Sequence, residues 1–145
     1  PHTLTRRYNF QGNVQMEVNE CISFIMLNGY EVLLEKRSEQ KETDPGLITI
    51  PGGHIECGET QIQALFRELN EELNVTPTEY KYLCSLFHPT KELQLIHYFI
   101  VSAWTGDISA QEADEVKWYS LDANHVGIAA DSIALKEVDR VSRYL

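Results

Sequence analysis

The chain has 145 residues, the size of one domain, which is enough to bury a hydrophobic core without disulfides or a structural metal. Its formal net charge of -10 argues against non-specific binding to nucleic acid or to an anionic membrane surface. No apolar run approaches the roughly 18 residues that a membrane-spanning helix needs. Three cysteines without paired spacing indicate free thiols in a reducing compartment, so we expect a cytoplasmic protein.

The first third of the chain predicts a polar arm and then a β-hairpin. Residues 1–19 are polar and weakly patterned, and we expect an arm that ends in a strand. The stretch "CISFIMLNGYEVLLEKRS" predicts two strands joined at Asn28-Gly29, because this dipeptide favours a type I′ turn. A polar loop, "SEQKETDPG", follows. "LITIPGGHIE" then predicts a short strand that ends at a Pro-Gly-Gly break.

The segment from Thr60 to about Leu73 predicts an amphipathic helix, since its apolar residues recur at helical spacing. Three strand-like segments come next: "EYKYLCSLF", "ELQLIHYFIVSAW" and "EVKWYSL". Helical spacing returns from Ser132 onward. These elements predict the α/β class, with one domain over residues 1–145 in which helices flank a mixed sheet.

The helix after Thr60 carries three acids close together. Glu68, Glu71 and Glu72 stand at i, i+3 and i+4, so they share a face about a third of a turn from the apolar stripe. Like charges one turn apart destabilise a helix by a few tenths of a kcal/mol. A hard divalent cation that binds the carboxylates would offset this cost, and Mg²⁺ prefers such oxygen ligands together with phosphates. An ordinary solvated acidic face is the alternative.

The same stretch resembles the Nudix box, whose pattern is G-x5-E-x7-R-E-U-x-E-E-x-G-U, where U is a bulky aliphatic residue. The matching positions are Gly53, Glu59, Arg67, Glu68, Leu69, Glu71, Glu72 and Val75. One position departs, because Asn74 stands where the family has its last glycine. That glycine is expected to end the helix in the left-handed conformation, which asparagine tolerates next best. Similar segments extend over most of residues 20–122, and the resemblance implies an α/β/α sandwich with a catalytic loop and helix.

The resemblance implies hydrolysis of a phosphoanhydride bond in a nucleoside diphosphate derivative, with water and a divalent metal as requirements. Its metal ligands would be the carbonyl of Gly53 and the carboxylates of Glu68, Glu71 and Glu72, holding Mg²⁺, with Mn²⁺ as an alternative. Glu68 would also act as the general base. Arg67, which can reach Glu71 or Glu59, is expected to hold a ligand carboxylate in its orientation. Gly52 allows the backbone to approach a ligand closely.

Residues outside the box complete the predicted site. Similar enzymes recruit one more acid from a later loop, and we expect Glu115 in preference to Glu112 as a ligand or base. Arg37, at the end of the second hairpin strand, is expected to contact substrate phosphates, whereas Lys36 should face solvent. Asp131 is a candidate reader of the nucleobase, although an acid at the start of the last helix also fits an N-cap.

The other aromatic and histidine residues favour structural roles. Phe87, Tyr98 and Trp118 could stack on a base, but aromatic residues on strands usually lie in the core. His88 and His97 could contact substrate, but a lone histidine near a strand is more often structural.

The predicted substrate is a nucleoside or deoxynucleoside triphosphate, or an oxidised one such as 8-oxo-dGTP, cleaved to the monophosphate and pyrophosphate. An ADP-ribose or nucleotide-sugar pyrophosphatase is the alternative enzyme, although Pro89 matches the ADP-ribose signature only loosely. A non-catalytic ligand-binding module of the same fold is the alternative of another class. We expect a small-molecule nucleotide as the partner, no nucleic acid or membrane, and either a monomer or a homodimer.

Overall fold

The structure is a computed structural model, and it describes residues 3–11 and 14–145. Within these ranges, eight strands and two helices follow one another along the chain, and a 3-10 turn at Ser142–Tyr144 follows the second helix. The elements are β1 (Thr5–Phe10), β2 (Val14–Asn28), β3 (Glu31–Lys36), β4 (Ile48–Thr49), β5 (Gly52–His54), α1 (Gln61–Leu73), β6 (Thr76–Pro89), β7 (Leu93–Thr105), β8 (Glu115–Ser120) and α2 (Ala129–Val141). Within the described ranges, neither helix combines the length and the apolar character that crossing a bilayer requires.

The strands form one mixed sheet. Its main path runs β4-β3-β2-β7-β6, in which β2 and β7 are parallel and the other neighbours are antiparallel. β8 pairs with β3 along its whole length. β2 is the longest strand, and it also pairs with β1 through residues 14–19 and with β5 through residues 21–23. The start of the chain and the Gly52–His54 segment therefore follow one another along β2.

The two helices pack on opposite faces of this sheet. Alternate residues of β2 belong to separate core clusters, because successive side chains of a strand point to opposite faces. Ile22 and Phe24 pack in the cluster that contains Leu65 and Leu69 of α1. Ile25 packs in the cluster that contains α2 residues such as Leu135. The predicted α/β/α sandwich with a mixed sheet is therefore confirmed.

Helix α1 begins and ends close to where the sequence predicts. Thr60 caps its first turn in a capping box, in which the Thr60 hydroxyl accepts from the Gln63 amide and the Gln63 side chain accepts from the Thr60 amide. Asn74 ends the helix in the left-handed conformation, with φ 61° and ψ 37°. Asparagine therefore fills the position of the expected glycine, as predicted.

Four local expectations need correction or extension. The hairpin turn is at Gly29-Tyr30 rather than at Asn28-Gly29, since Asn28 pairs with Glu31 and Gly29 has a positive φ. Gly52 and Gly53 pair with β2 as a strand instead of only breaking one. Helix α2 begins at Ala129, before Ser132. The predicted arm is a hairpin with β2, although residues 1, 2, 12 and 13 of that arm lie outside the described ranges.

Candidate active site

A polar cleft of about 630 Å³ opens beside helix α1. Its walls come from the loop after β3, from β5 and α1, from the turn between β6 and β7, and from the start of α2. The volume is in the range of small-molecule binding sites. The cleft contains most of the residues that the sequence singles out, and both acidic and basic side chains line it.

Three carboxylates of α1 lie on the wall of the cleft. Glu68, Glu71 and Glu72 all line it. The side chains of Glu68 and Glu72 are buried, whereas Glu71 is exposed at the rim. Gly53 lies against this group, because a Cβ atom at Gly53 would be 2.5 Å from the carboxylate of Glu68. The backbone of β5 can approach Glu68 only where residue 53 has no side chain.

Arg67 holds the acids and the preceding loop in one network. Its Nε donates to Glu59 at 2.6 Å, and its Nη1 donates to Glu68 at 2.8 Å and to Glu71 at 3.1 Å. Its Nη2 donates to the carbonyl oxygen of His54 at 2.9 Å and to Glu59 at 2.8 Å. Both partners that the sequence offers for Arg67, Glu59 and Glu71, are therefore in contact with it. A single guanidinium ties α1 to residues 54–59.

Without a cation, burial and mutual repulsion disfavour the ionised form of several of these carboxylates. Burial, followed by the negative charges of Glu35 and Glu112, raises the pKa of Glu72 to about 8. Burial raises the pKa of Glu35 to about 7, although Arg37 and Lys41 oppose that shift. Burial also raises the pKa of Glu68, and its hydrogen bond to Arg67 opposes the rise. The hydrogen bond from Arg67 lowers the pKa of Glu59.

These donors fit a hard divalent cation by their chemistry. Carboxylate oxygens and a nearby backbone carbonyl are ligands that Mg²⁺ accepts. Across residues 3–11 and 14–145, no three His, Cys, Asp or Glu side chains stand together in a ready-made metal cage. Glu68 and Glu71 both accept a hydrogen bond from the Arg67 guanidinium.

The later acid that joins the group is Glu112, and the preference for Glu115 needs correction. Glu112 lines the cleft and pairs with Lys41 across it at 3.5 Å. Its charge also raises the pKa of Glu72. Glu115 is instead the first residue of β8, exposed and paired with Lys36, and it does not line the cleft. The loop that carries Glu112 returns towards α1, because the amide of Gln111 donates to the carbonyl of Glu72.

Arg37 and Asp131 both line the cleft, although they are far from the α1 acids in the sequence. Arg37 donates from Nε to the carbonyl of Thr43 at 3.0 Å and from Nη2 to the Thr43 hydroxyl at 3.2 Å. Its Nη1 lies 3.8 Å from Glu35. Part of the guanidinium therefore orders the loop after β3. Lys36 is exposed, as predicted.

Asp131 does not act as the helix N-cap. Helix α2 has Ile128 at its N-cap, without a side-chain cap bond, and Asp131 lies inside the first turn. The Asp131 carboxylate accepts instead from the Ile50 amide at 2.9 Å and from the Tyr98 hydroxyl at 2.7 Å. Burial raises the pKa of Asp131 to about 6, against the effect of these two hydrogen bonds. The carboxylate thus joins α2 to the sheet at the edge of the cleft.

The aromatic residues have other positions. The cleft lining, as far as the structure describes it, does not include Phe87, Tyr98 or Trp118. Tyr98 is fully buried, Trp118 packs against the core on the α1 side, and the exposed ring of Phe87 contacts Tyr8 edge-on. Pro89 is the last residue of β6, directly after His88.

The two histidines differ in position. His88 lines the cleft and pairs with Asp44 at 2.9 Å. His97 is buried among Ser85 and Glu20, and it does not line the cleft.

Sequence reasoning missed Glu35 and Thr49. Glu35 is buried in β3 beside Thr49 of β4, and its charge acts on Glu72. A signal was present, because Glu35 stands two residues after Leu33 and therefore shares its inward face. An acid at an inward strand position is a candidate for a site rather than for a surface.

Comparison with known proteins agrees with this geometry. The family model described as NUDIX domain matches residues 20–138. The 8-oxo-dGTP diphosphatase of Escherichia coli K12 is 35% identical over 112 residues, which cover 77% of this chain and 83% of that protein. The CTP pyrophosphohydrolase of the same organism is 31% identical over 106 residues, covering 72% and 78%. The solution structure of the E. coli ORF135 protein matches 86% of this chain and 91% of its own, with 27% identity and a TM-score of 0.74.

Proposed function

Because this chain belongs to the Nudix family of hydrolases, which act on nucleotide phosphoanhydride bonds, we propose that it cleaves a nucleoside or deoxynucleoside triphosphate. The products are the nucleoside monophosphate and pyrophosphate. Oxidised deoxynucleotides such as 8-oxo-dGTP are the first substrates to test. Two relatives that the chain matches over more than two thirds of its length carry names that specify triphosphates, an 8-oxo-dGTP diphosphatase and a CTP pyrophosphohydrolase.

One observation supports the proposal most strongly. Buried carboxylates of α1 and basic side chains from β3 and the loop after it line the same cleft. Glu68 and Glu72 supply the negative charge, and Arg37 and Lys41 supply the positive charge. A nucleotide polyphosphate needs both, because a metal ion binds the acids and the phosphate oxygens while guanidinium and ammonium groups neutralise the remaining charge.

Mg²⁺, with Mn²⁺ as the alternative, is the cofactor that these residues would hold. The proposed ligands are Gly53 through its carbonyl and the carboxylates of Glu68, Glu71, Glu72 and Glu112. When bound, the ion supplies charge neutralisation at the phosphate oxygens and acidifies a water. Glu112 replaces Glu115 in this proposal, because Glu112 lines the cleft and Glu115 does not.

Glu68 is the proposed general base. Burial already raises its pKa, so the group can accept a proton from the attacking water more readily than an exposed glutamate. Arg67 holds the Glu68 carboxylate at 2.8 Å and fixes its orientation. Glu59 in turn accepts two hydrogen bonds from Arg67. The loop that carries Glu59 therefore fixes the position of Arg67 and, through Arg67, that of the Glu68 carboxylate.

Arg37 and Asp131 are the proposed substrate contacts. Arg37 retains donors beyond those used on Thr43, and these suit phosphate oxygens. Asp131 already accepts two hydrogen bonds, which leaves lone pairs for an amino or imino group of a base. The amino groups of guanine, cytosine and adenine are donors that suit these lone pairs.

A substrate panel tests the proposal. Purified protein with Mg²⁺ is incubated with canonical and 8-oxo triphosphates, CTP, ADP-ribose and a nucleotide sugar, and phosphate or pyrophosphate release is measured. We expect a triphosphate to be the best substrate. Cleavage of ADP-ribose with no activity on any triphosphate would reject the proposal, and the absence of hydrolysis throughout would favour a non-catalytic binding module.

A further inference from the structure

We infer that the N-terminal arm, defined here as residues 3–9, positions the catalytic loop, defined as residues 53–59. The inference rests on the proposed function, since it assigns a role in holding the proposed metal ligands. The arm lies outside residues 20–138, which the family model matches. Its contacts are therefore made by residues beyond the segment that the family model matches.

The arm and the catalytic loop meet at one residue of β2. Residues 14–19 of β2 pair with β1, and residues 21–23 pair with β5. Between them, Glu20 donates its amide to the carbonyl of Leu4 at 2.8 Å and accepts the amide of Ile55 at 3.0 Å. Leu4 then donates to the carbonyl of Ile55 at 2.7 Å. These three hydrogen bonds close a ring that connects the strand, the arm and the loop.

Further contacts continue along the loop. Thr3 forms an antiparallel bridge with Glu56 and also lines the cleft. The thiol of Cys57 donates to the carbonyl of Thr3 at 3.7 Å. Leu4 packs against the core cluster on the α1 side. The arm thus covers an edge of the loop that would otherwise present its backbone groups to water.

The loop residues that the arm holds are adjacent to those that hold Arg67. Ile55 is bonded to Leu4, the preceding carbonyl of His54 accepts from Arg67 at 2.9 Å, and the following amide of Glu56 donates to Glu59 at 2.8 Å. Arg67 and Glu59 orient Glu68. A displacement of Ile55 would move both groups that hold Arg67, the His54 carbonyl and the Glu59 carboxylate. The arm therefore acts on the Glu68 carboxylate indirectly, first through Ile55 and then through Arg67.

A side-chain anchor fastens the arm at the same point. The Glu20 carboxylate is only 3% exposed. It accepts from Nε of Arg6 at 3.0 Å and contacts Nε2 of His97 at 3.3 Å. His97 is held in turn by Ser85 at 2.5 Å. Because a buried carboxylate needs compensating charge, loss of Arg6 would weaken the attachment of the arm.

Amide hydrogen exchange of the full-length, metal-free protein is the direct test. Leu4→Pro removes the amide that donates to Ile55, and Arg6→Ala removes the cation on Glu20, while Arg6→Lys retains a positive charge. Arg7→Ala is the matched control on the same strand, exposed and without an ion pair in the described structure. We expect the amides of Ile55 and Glu56 to exchange at least about tenfold faster in Leu4→Pro and Arg6→Ala, with the α1 amide of Leu69 unchanged.

The metal requirement gives a second measurement. In Leu4→Pro and Arg6→Ala, the Mg²⁺ concentration for half-maximal rate should rise at least about threefold, with the nucleotide KM within about twofold of the parent value. Arg6→Lys should recover part of the loss. Unchanged exchange at Ile55 and Glu56, or faster exchange at Leu69 to the same extent, would overturn the inference. Because the exchange measurement needs no substrate, it stands even if the panel rejects the proposed function.

Discussion

Helices α1 and α2 bury apolar residues against opposite faces of one sheet, but a buried acid of each helix has very different surroundings. Asp131 of α2 is 1% exposed and accepts hydrogen bonds from Ile50 and Tyr98. Glu72 of α1 is 9% exposed, and the charges with the largest effect on its pKa are the carboxylates of Glu35 and Glu112. The pKa of Asp131 rises to about 6 and that of Glu72 to about 8.

The difference separates an acid that accepts two hydrogen bonds within the fold from one that other acids surround. Two donors within the fold stabilise the charge of Asp131, so the residue also serves to join α2 to the sheet. Further acids surround Glu72, an arrangement that raises the free energy of the folded protein unless a cation binds. A group of this kind in a cleft indicates a functional site. Three predictions test this contrast, and a fourth compares how the two helices end.

The largest effect is expected from the acids of α1. Glu68→Gln and Glu71→Gln should each lower kcat/KM by about 10²–10⁴-fold, because they remove a proposed base or ligand while keeping the shape of the side chain. Steady-state kinetics with the best triphosphate of the panel measures the loss. Glu137→Gln is the control and should stay near the parent rate, because Glu137 is a partly buried glutamate of α2 that pairs with Arg140 and does not line the cleft. Near-normal rates for both α1 variants would reject the assigned site.

A smaller effect on kcat/KM should distinguish Glu112 from Glu115. Glu112→Gln should lower kcat/KM by about 10–100-fold and raise the Mg²⁺ requirement, because Glu112 lies with the α1 carboxylates. Glu115→Gln should change the rate by less than about twofold, since an exposed substitution away from a site has little effect. Titration of activity with Mg²⁺ compares them. The reverse order of sensitivity would restore Glu115 to the site.

The stability of the metal-free protein should decrease with rising pH. Glutamates titrate near 4.5 when unfolded, whereas the folded pKa is about 7 for Glu35 and about 8 for Glu72. Between pH 5 and 8 the folded state therefore holds more protons than the unfolded state, and the free energy of unfolding should fall by roughly 3–6 kcal/mol, the lower value allowing for solvent screening of Glu72.

Urea denaturation at several pH values measures this decrease. Glu72→Gln should flatten the slope, and Glu137→Gln should leave it unchanged. Saturating Mg²⁺ should stabilise the parent protein more at pH 8 than at pH 6, since the ion binds ionised carboxylates. A metal-free protein that gains stability between pH 5 and pH 8 would contradict the electrostatic account of the α1 acids.

The smallest effect concerns how the two helices end. Asn74 ends α1 with a positive φ of 61°, whereas α2 ends at Ser142 in a right-handed conformation and continues into a 3-10 turn. Asn74→Gly should raise the free energy of unfolding by less than about 1 kcal/mol, because glycine adopts the left-handed conformation without strain. Chemical denaturation measures it, and Ser142→Gly, expected to destabilise slightly, is the control. A destabilised Asn74→Gly variant would show that the asparagine side chain contributes more than its conformation.

Local pattern was sufficient for much of the fold. Helical spacing between Thr60 and Leu73 placed α1 correctly, since an amphipathic helix needs only its own residues to define its buried face. The turn at Gly29-Tyr30 was displaced by one residue in the prediction, because both registers place a glycine in the turn and only strand pairing decides between them. The strand character of Gly52–His54 was missed, since glycine has low strand propensity and pairing with β2 overrides it.

The sequence by itself determined the family, the α1 helix and the carboxylates that it carries, because those features depend on spacing within one short segment. Tertiary structure alone decided that Glu112 rather than Glu115 approaches the α1 acids, that Glu35 adds its charge to Glu72, and that Asp131 bonds to Ile50 and Tyr98 instead of capping α2. The physical reason is that burial and charge interactions depend on distance in space, and the folding of distant strands and loops sets that distance.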